Sequence, residues 1–117
     1  MTGSLFRVLR EGMGLSQQDL AGLFGVQKRA VQRWEGGDRE IPTSRGEELL
    51  QLFQHFEEVV AHHVEQAHAS GGLVVVGVLD DEGEMPAGWQ RAVAFAVVRA
   101  TPRVVVADTT LETGGAG

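Results

Sequence analysis

The segment from residue 15 to residue 37 constrains the fold most, because it has the spacing of two short helices joined by a glycine turn. Ser16 and Asp19 are placed as in a capping box that begins a helix. Apolar side chains then recur at helical spacing up to Phe24, and Gly25 can adopt the positive φ that reverses the chain. The segment therefore predicts two consecutive helices packed across a tight turn.

The second of these helices is expected to begin near Gln27 and to carry a polar, cationic face. Its outward side chains would be Gln27, Lys28, Arg29, Gln32 and Arg33. Arg and Lys donate hydrogen bonds to guanine O6 and N7, and Gln can pair with adenine N6 and N7. An ordinary solvated helix face has a similar composition. The capped first helix, the glycine turn and the sequence Trp34-Glu35-Gly36-Gly37 that follows nevertheless favour recognition of the DNA major groove.

The same segment resembles the Cro/CI-type helix-turn-helix regulators, also called the XRE family. The matching positions are Leu15-Ser16-Gln17, Leu20-Ala21, Gly25-Val26 and Trp34-Glu35-Gly36-Gly37. The resemblance covers residues 5 to about 56 and implies a bundle of five short helices, the third of which enters the major groove. It implies base contacts by Gln27, Lys28, Arg29 and Arg33. Because that family commonly has Ser or Thr where this chain has Gln27, its base preference is not carried over.

Further residue roles are implied by the same resemblance. Gln17 at the start of the second helix and Arg39 after the third would contact phosphates, and we place Ser16 with them. Arg10 and Glu35 occupy the positions of a structural ion pair. Removing one partner of such a pair is expected to unfold the domain before it affects DNA binding.

The remaining composition favours a folded intracellular chain. The 117 residues include no cysteine, which excludes disulfides and thiolate zinc sites. No charged segment followed by an apolar core begins the chain, and no run of about 18 apolar residues occurs. We therefore expect a cytoplasmic protein without a membrane partner.

The charge is divided unequally along the chain. The net charge is −6 overall, but residues 1–46 carry seven basic and five acidic side chains, whereas residues 47–117 carry three basic and eleven acidic ones. Since acidic side chains repel phosphate, the C-terminal half is expected to lie away from DNA and to limit non-specific binding.

Downstream, a long helix is predicted from Thr43 or Ser44 to about His68, followed by β-branched runs at residues 73–79 and 103–108 with a helix at 86–100 between them. We therefore predict an α+β fold class, with an N-terminal five-helix lambda-repressor-like helix-turn-helix bundle followed by a small strand-helix-strand dimerisation unit. The predicted domains are 1–56 for DNA binding, 57–72 for a helix extension and glycine linker, 73–112 for the dimerisation unit, and 113–117 for a flexible tail.

A homodimer is expected because two strands and one apolar helix are too small to bury their own surface. The dimerisation residues would be Val74, Val76, Trp89, Val93, Val97, Val104 and Val106. Two symmetry-related recognition helices would enter successive major grooves about 34 Å apart, on an inverted repeat in double-stranded DNA. This arrangement also looks like the anti-CRISPR-associated autoregulators, with specific matches at Ile41-Pro42, Glu48-Leu49-Leu50 and Trp89 to Ala94.

Catalytic and metal sites find little support in the sequence. The acidic run of residues 80–84 fits a surface turn, and Glu58, His62 and Glu65 also arise on a solvated helix face. We expect no enzyme, metal or cofactor. Three functions stay open: a homodimeric (auto)repressor acting at a promoter, which is favoured, an antitoxin that also binds a protein partner, and a ligand-responsive regulator.

Overall fold

The structure is a computed structural model that describes residues 1–69, 75–78, 85–101 and 105–108, with side chains described for residues 1–69 and 85–101. The chain divides into two compact units, residues 1–55 and residues 56–117. In chain order the elements are α1 Gly3–Gly12, α2 Gln17–Phe24, α3 Lys28–Gly36, α4 Thr43–Ala69, β1 Val75–Val78, α5 Ala87–Ala100 and β2 Val105–Asp108.

The first unit has a small core formed by α1, α2, α3 and the start of α4. Its fully buried side chains include Phe6, Leu20, Val31 and Leu49. The ring of Phe6 meets Trp34 edge to face, with centroids 5.8 Å apart. This contact fixes α3 against α1, because aromatic pairs gain from the edge-to-face geometry as well as from buried area.

The start of α1 approaches α3 closely. A Cβ atom added at Gly3 would lie 2.5 Å from the carbonyl oxygen of Trp34 and 2.7 Å from that of Glu35. Only a residue without a side chain fits there, so Gly3 permits the contact between the two helices.

The bundle differs from the predicted set of five short helices. Three short helices are followed by α4, which continues without a break for 27 residues. No proline or glycine lies between Gly46 and Ala69, so nothing in the sequence interrupts the backbone hydrogen bonds of this helix. The helix-turn-helix arrangement is present, but the number of short helices in the prediction was wrong.

The predicted α+β class is also wrong. In residues 1–69 and 85–101, 79% of the residues are helical and no strand occurs, so the strand-helix-strand dimerisation unit is not seen in that part. Elsewhere in the described chain the backbone forms strand only at β1 and β2, four residues each, which pair in parallel from Val75↔Val105 to Val78↔Asp108. A ladder of this size is not the separate sheet layer that an α+β class requires.

The physical reason for this error lies in α4 and α5. Runs of β-branched residues predict strand locally, but the five helices together supply most of the described backbone, and α4 and α5 alone have 27 and 14 residues. The ends of the predicted strands, the acidic run at 80–84 and the predicted tail at 113–117 lie outside the described residues.

The second unit packs α5 against the C-terminal part of α4. Phe56 and Trp89 meet edge to face with ring centroids 5.0 Å apart. Ala67, Val93 and Val97 are buried in the same unit. None of the described helices is long and apolar enough to cross a lipid bilayer.

Candidate nucleic-acid interface

The helix α2 begins with a complete capping box. The Ser16 hydroxyl accepts a hydrogen bond from the Asp19 amide at 2.9 Å, and the Asp19 carboxylate accepts one from the Ser16 amide at 2.9 Å. Two amides of the first turn are thereby satisfied, which fixes where α2 starts.

The turn between α2 and α3 depends on Gly25, whose φ is +66°. The Val26 amide donates to the Ala21 carbonyl at 3.0 Å, which closes the end of α2 and sends the chain into α3. A residue with a Cβ atom is strained at this φ. Gly25 therefore sets the angle at which α3 leaves α2.

Arg45 holds this turn from the start of α4. Its Nη1 atom donates to the Phe24 carbonyl at 3.1 Å and to Glu48 Oε1 at 3.1 Å. Its guanidinium also lies 5.8 Å from the centroid of the Phe24 ring. Sequence reasoning missed this contact, because nothing local to Arg45 indicates that α2 ends beside it.

The helix α3 separates buried from exposed side chains. Val31 is fully buried and Trp34 is 7% exposed, so they anchor the helix in the core. The five predicted base contacts are all exposed: Gln27, Lys28, Arg29, Gln32 and Arg33. Gln27 precedes the helix and makes no side-chain capping hydrogen bond.

Two of the concave surfaces in the first unit are lined by predicted DNA contacts. One, of about 460 Å³, is lined by Gln27, Arg29, Ala30, Arg33, Trp34, Arg39, Glu40 and Pro42. The other, of about 390 Å³, is lined by Arg7, Arg10, Ser16, Gln17, Gln18 and Lys28. We call them the α3 surface and the α2 surface.

These surfaces group the predicted site residues differently from the sequence assignment. Arg39, predicted to contact phosphate, lies on the α3 surface together with Arg29 and Arg33. Lys28, predicted to contact bases, lies on the α2 surface together with Ser16 and Gln17, two of the three predicted phosphate contacts. Gln32 lines neither of them.

Two residues of the α2 surface were not among the predicted site residues. Arg7 and Gln18 are exposed and line it beside Lys28. The excess of basic residues in the N-terminal half was the available signal, but the motif of residues 15–37 contains no element of α1 and therefore gives no position to Arg7.

A buried ion pair lies beneath the α2 surface. Arg10 donates to both carboxylate oxygens of Glu35, at 2.6 and 2.8 Å, and to the Leu15 carbonyl at 2.7 Å. The hydrogen bond with Glu35 raises the pKa of Arg10, against the opposing effect of burial. Gln17 Nε2 donates to Glu35 Oε1 at 3.2 Å. The side chain of Gln17 is thus oriented by the same carboxylate that pairs with Arg10.

The predicted dimerisation residues whose side chains are described do not lie on the surface of the protein. Trp89, Val93 and Val97 are at most 3% exposed within a single copy. Val74 and Val104 lie outside the described residues, and only the backbone is described for Val76 and Val106. The described side chains of this set therefore belong to the core of their own unit.

A known protein family matches the part of the chain that contains these surfaces. Residues 6–58 match the family model described as Helix-turn-helix. This match supports a DNA-binding helix-turn-helix domain of the XRE type within residues 6–58. The family is one of DNA-binding regulatory domains and is not typically enzymatic. No curated protein matches the chain.

Metal binding finds no site in the described side chains. Within residues 1–69 and 85–101, no group of three or more His, Asp or Glu residues is arranged to hold a metal ion. Glu58, His62 and Glu65 lie in this range.

Proposed function

We propose that this protein is a sequence-specific transcriptional repressor that acts as a homodimer on an inverted-repeat operator. The observation that carries the proposal is the helix α3, whose buried Val31 and Trp34 hold it rigidly while its polar residues face outward. A rigid, exposed helix with cationic and amide side chains has the chemistry needed for base edges in the major groove.

In this proposal the α3 side chains select the sequence. Arg29 and Arg33 donate to guanine, Gln27 and Gln32 pair with adenine, and Lys28 contacts bases from the edge of the helix. Because the two arginines share one concave surface, they can contact neighbouring base pairs together.

Phosphate contacts then fix the register of the helix in the groove. Ser16 and Gln17 at the start of α2 offer side-chain and amide donors, and the N-terminus of a helix attracts anions. Arg39 would bind phosphate at the other edge of α3. The acidic residues of the C-terminal half oppose non-specific binding.

Two copies give the proposal its symmetry. A two-fold axis places two α3 helices about 34 Å apart, in successive major grooves of an inverted repeat. A dimer bound across a promoter excludes RNA polymerase sterically, which is repression.

The test is selection of bound sequences from random duplexes by the full chain, followed by measurement of stoichiometry on the selected site. We expect an inverted repeat that binds two copies. Selection of no sequence above background at about 0.1 M salt overturns sequence-specific binding. A reporter placed behind the selected site should lose expression when the protein is present, and increased expression overturns repression alone.

A further inference from the structure

The outward face of α5 carries an aromatic residue between two arginines. Arg91, Phe95 and Arg99 follow one another at four-residue spacing, which places them on one side of the helix. Phe95 is 64% exposed, and the guanidinium of Arg99 lies 5.7 Å from its ring centroid. The opposite face, with Trp89 and Val97, is buried. We call the three exposed residues the arginine face.

The arginine face is basic, whereas residues 47–117 as a whole are acidic. Residues 47–117 contain three basic and eleven acidic side chains, and two of the three basic ones flank Phe95. A single exposed Phe is ordinary on a protein surface. An exposed Phe flanked by arginines in an acidic half is a specific combination, since aromatic residues and Arg are enriched in protein interfaces.

A complementary face lies on α4 in the same unit. Glu58, His62 and Glu65 are exposed and share one side of that helix. At 1.5 Å per residue, the two glutamates are about 10.5 Å apart and the two arginines of α5 about 12 Å apart. In both triplets a ring lies between the charged groups. We call this the glutamate face.

We propose that the arginine face of one copy docks on the glutamate face of a second copy. Under a two-fold axis the contact occurs twice, because each copy presents both faces. Phe95 would pack beside His62, and each arginine would meet a glutamate. This proposal depends on the homodimer of the proposed function and specifies its interface. On α5 the interface lies on the side opposite the buried Trp89, Val93 and Val97. Nucleic acid suits the arginine face less well, since residues 47–117 carry a net negative charge, which repels phosphate.

Sedimentation velocity on the full chain tests this by charge exchange. The variant Arg91→Glu/Arg99→Glu makes both faces acidic, and Glu58→Arg/Glu65→Arg makes both basic. Each variant alone should raise the dimer dissociation constant at least about tenfold, because like charges oppose each other. An equimolar mixture should restore the wild-type constant, since both contacts are then complementary. Glu57→Arg, an exposed change on another side of α4, is the matched control and should leave the dimer unchanged.

Each outcome has a separate meaning. Recovery in the mixture supports the interface and shows that both variants are folded. If the wild-type chain is a dimer and both variants keep its dissociation constant, this interface is overturned, but the proposal of a dimeric repressor is not. A monomeric wild type, free and on the selected DNA, overturns the interface and the dimer together. Loss of binding to nucleic acid by Arg91→Glu/Arg99→Glu without a change of oligomeric state also overturns the interface.

Discussion

Arg10 and Glu35 lie 25 residues apart in the sequence and form a two-bond ion pair in which both side chains are buried. The pair joins α1 to α3, and the further bond from Arg10 to the Leu15 carbonyl extends it to the start of the α2 segment. Breaking a buried pair leaves one charge without a partner in a poorly solvated environment, which is costly.

Replacement of Arg10 by Ala should therefore unfold the first unit. We expect a loss of about 3 to 5 kcal/mol in the free energy of unfolding, as measured by thermal or urea denaturation. The control is Arg7→Ala, which breaks the exposed pair with Glu11 and should cost less than about 0.5 kcal/mol. Equal stability of the two variants would show that the buried pair contributes nothing.

Gln17→Ala should weaken binding to every DNA sequence by a similar factor. The residue is expected to contact phosphate, which carries no base information, and its hydrogen bond to Glu35 orients it. Binding isotherms on the selected operator and on random duplex measure this effect. Gln18→Ala, its exposed neighbour on the same surface, shows how much of the loss comes from that surface in general. A loss confined to the operator would contradict the assignment.

Arg29→Ala and Arg33→Ala should instead relax specificity. Each is expected to lose about 1 to 3 kcal/mol on the operator and much less on random duplex, with the preference lost at one base pair of each half-site. Repeating the sequence selection with each variant identifies that base pair. Gln54→Ala, an exposed polar change on α4, serves as the control. Equal losses on both DNAs would assign these arginines to phosphate.

His63 should make stability depend on pH. Burial, together with the adjacent positive charge of His62, lowers the pKa of His63 below its ordinary value of 6.5. Its Nδ1 atom is buried and has no hydrogen-bond partner in the described part of the chain. Below pH 6.5 the unfolded chain binds a proton that the folded chain does not, so stability falls as the pH drops through 6.5 towards the lowered pKa.

His63→Gln should reduce this dependence. The fall in stability between about pH 7.5 and about pH 5.5 is expected to be smaller in this variant than in the wild-type chain. His68→Gln, at an exposed position of the same helix, should behave like the wild type. Denaturation curves at both pH values measure the difference, and an unchanged dependence in His63→Gln would assign it to other groups.

The sequence alone predicted the structural features that depend on residues close together in the chain. The capping box of Ser16 and Asp19 and the turn at Gly25 involve positions a few residues apart, so local physical chemistry determines them. The pairing of Arg10 with Glu35 spans three helices and came only from a family resemblance.

Other features needed the packed structure. The β-branched runs at residues 73–79 and 103–108 overlap β1 and β2. These runs could not indicate that the two strands occupy so little of the backbone in comparison with α4 and α5. The position of Lys28 on the α2 surface depends on how α3 packs against α1 and α2, which no local pattern reports.

The role of Gly3 is visible only from the packing of α1 against α3. Gly3→Ala should destabilise the first unit, because the added Cβ would meet the backbone oxygens of Trp34 and Glu35, which cannot move without displacing α3. Gly22→Ala is the matched control, since Gly22 is an exposed position of α2 and nothing lies within 4 Å of the added Cβ. There the change should stabilise by about 0.4 to 1 kcal/mol, through reduced freedom of the unfolded chain. Denaturation midpoints should therefore move in opposite directions for the two variants, and a stabilised Gly3→Ala would mean that α1 does not approach α3 this closely.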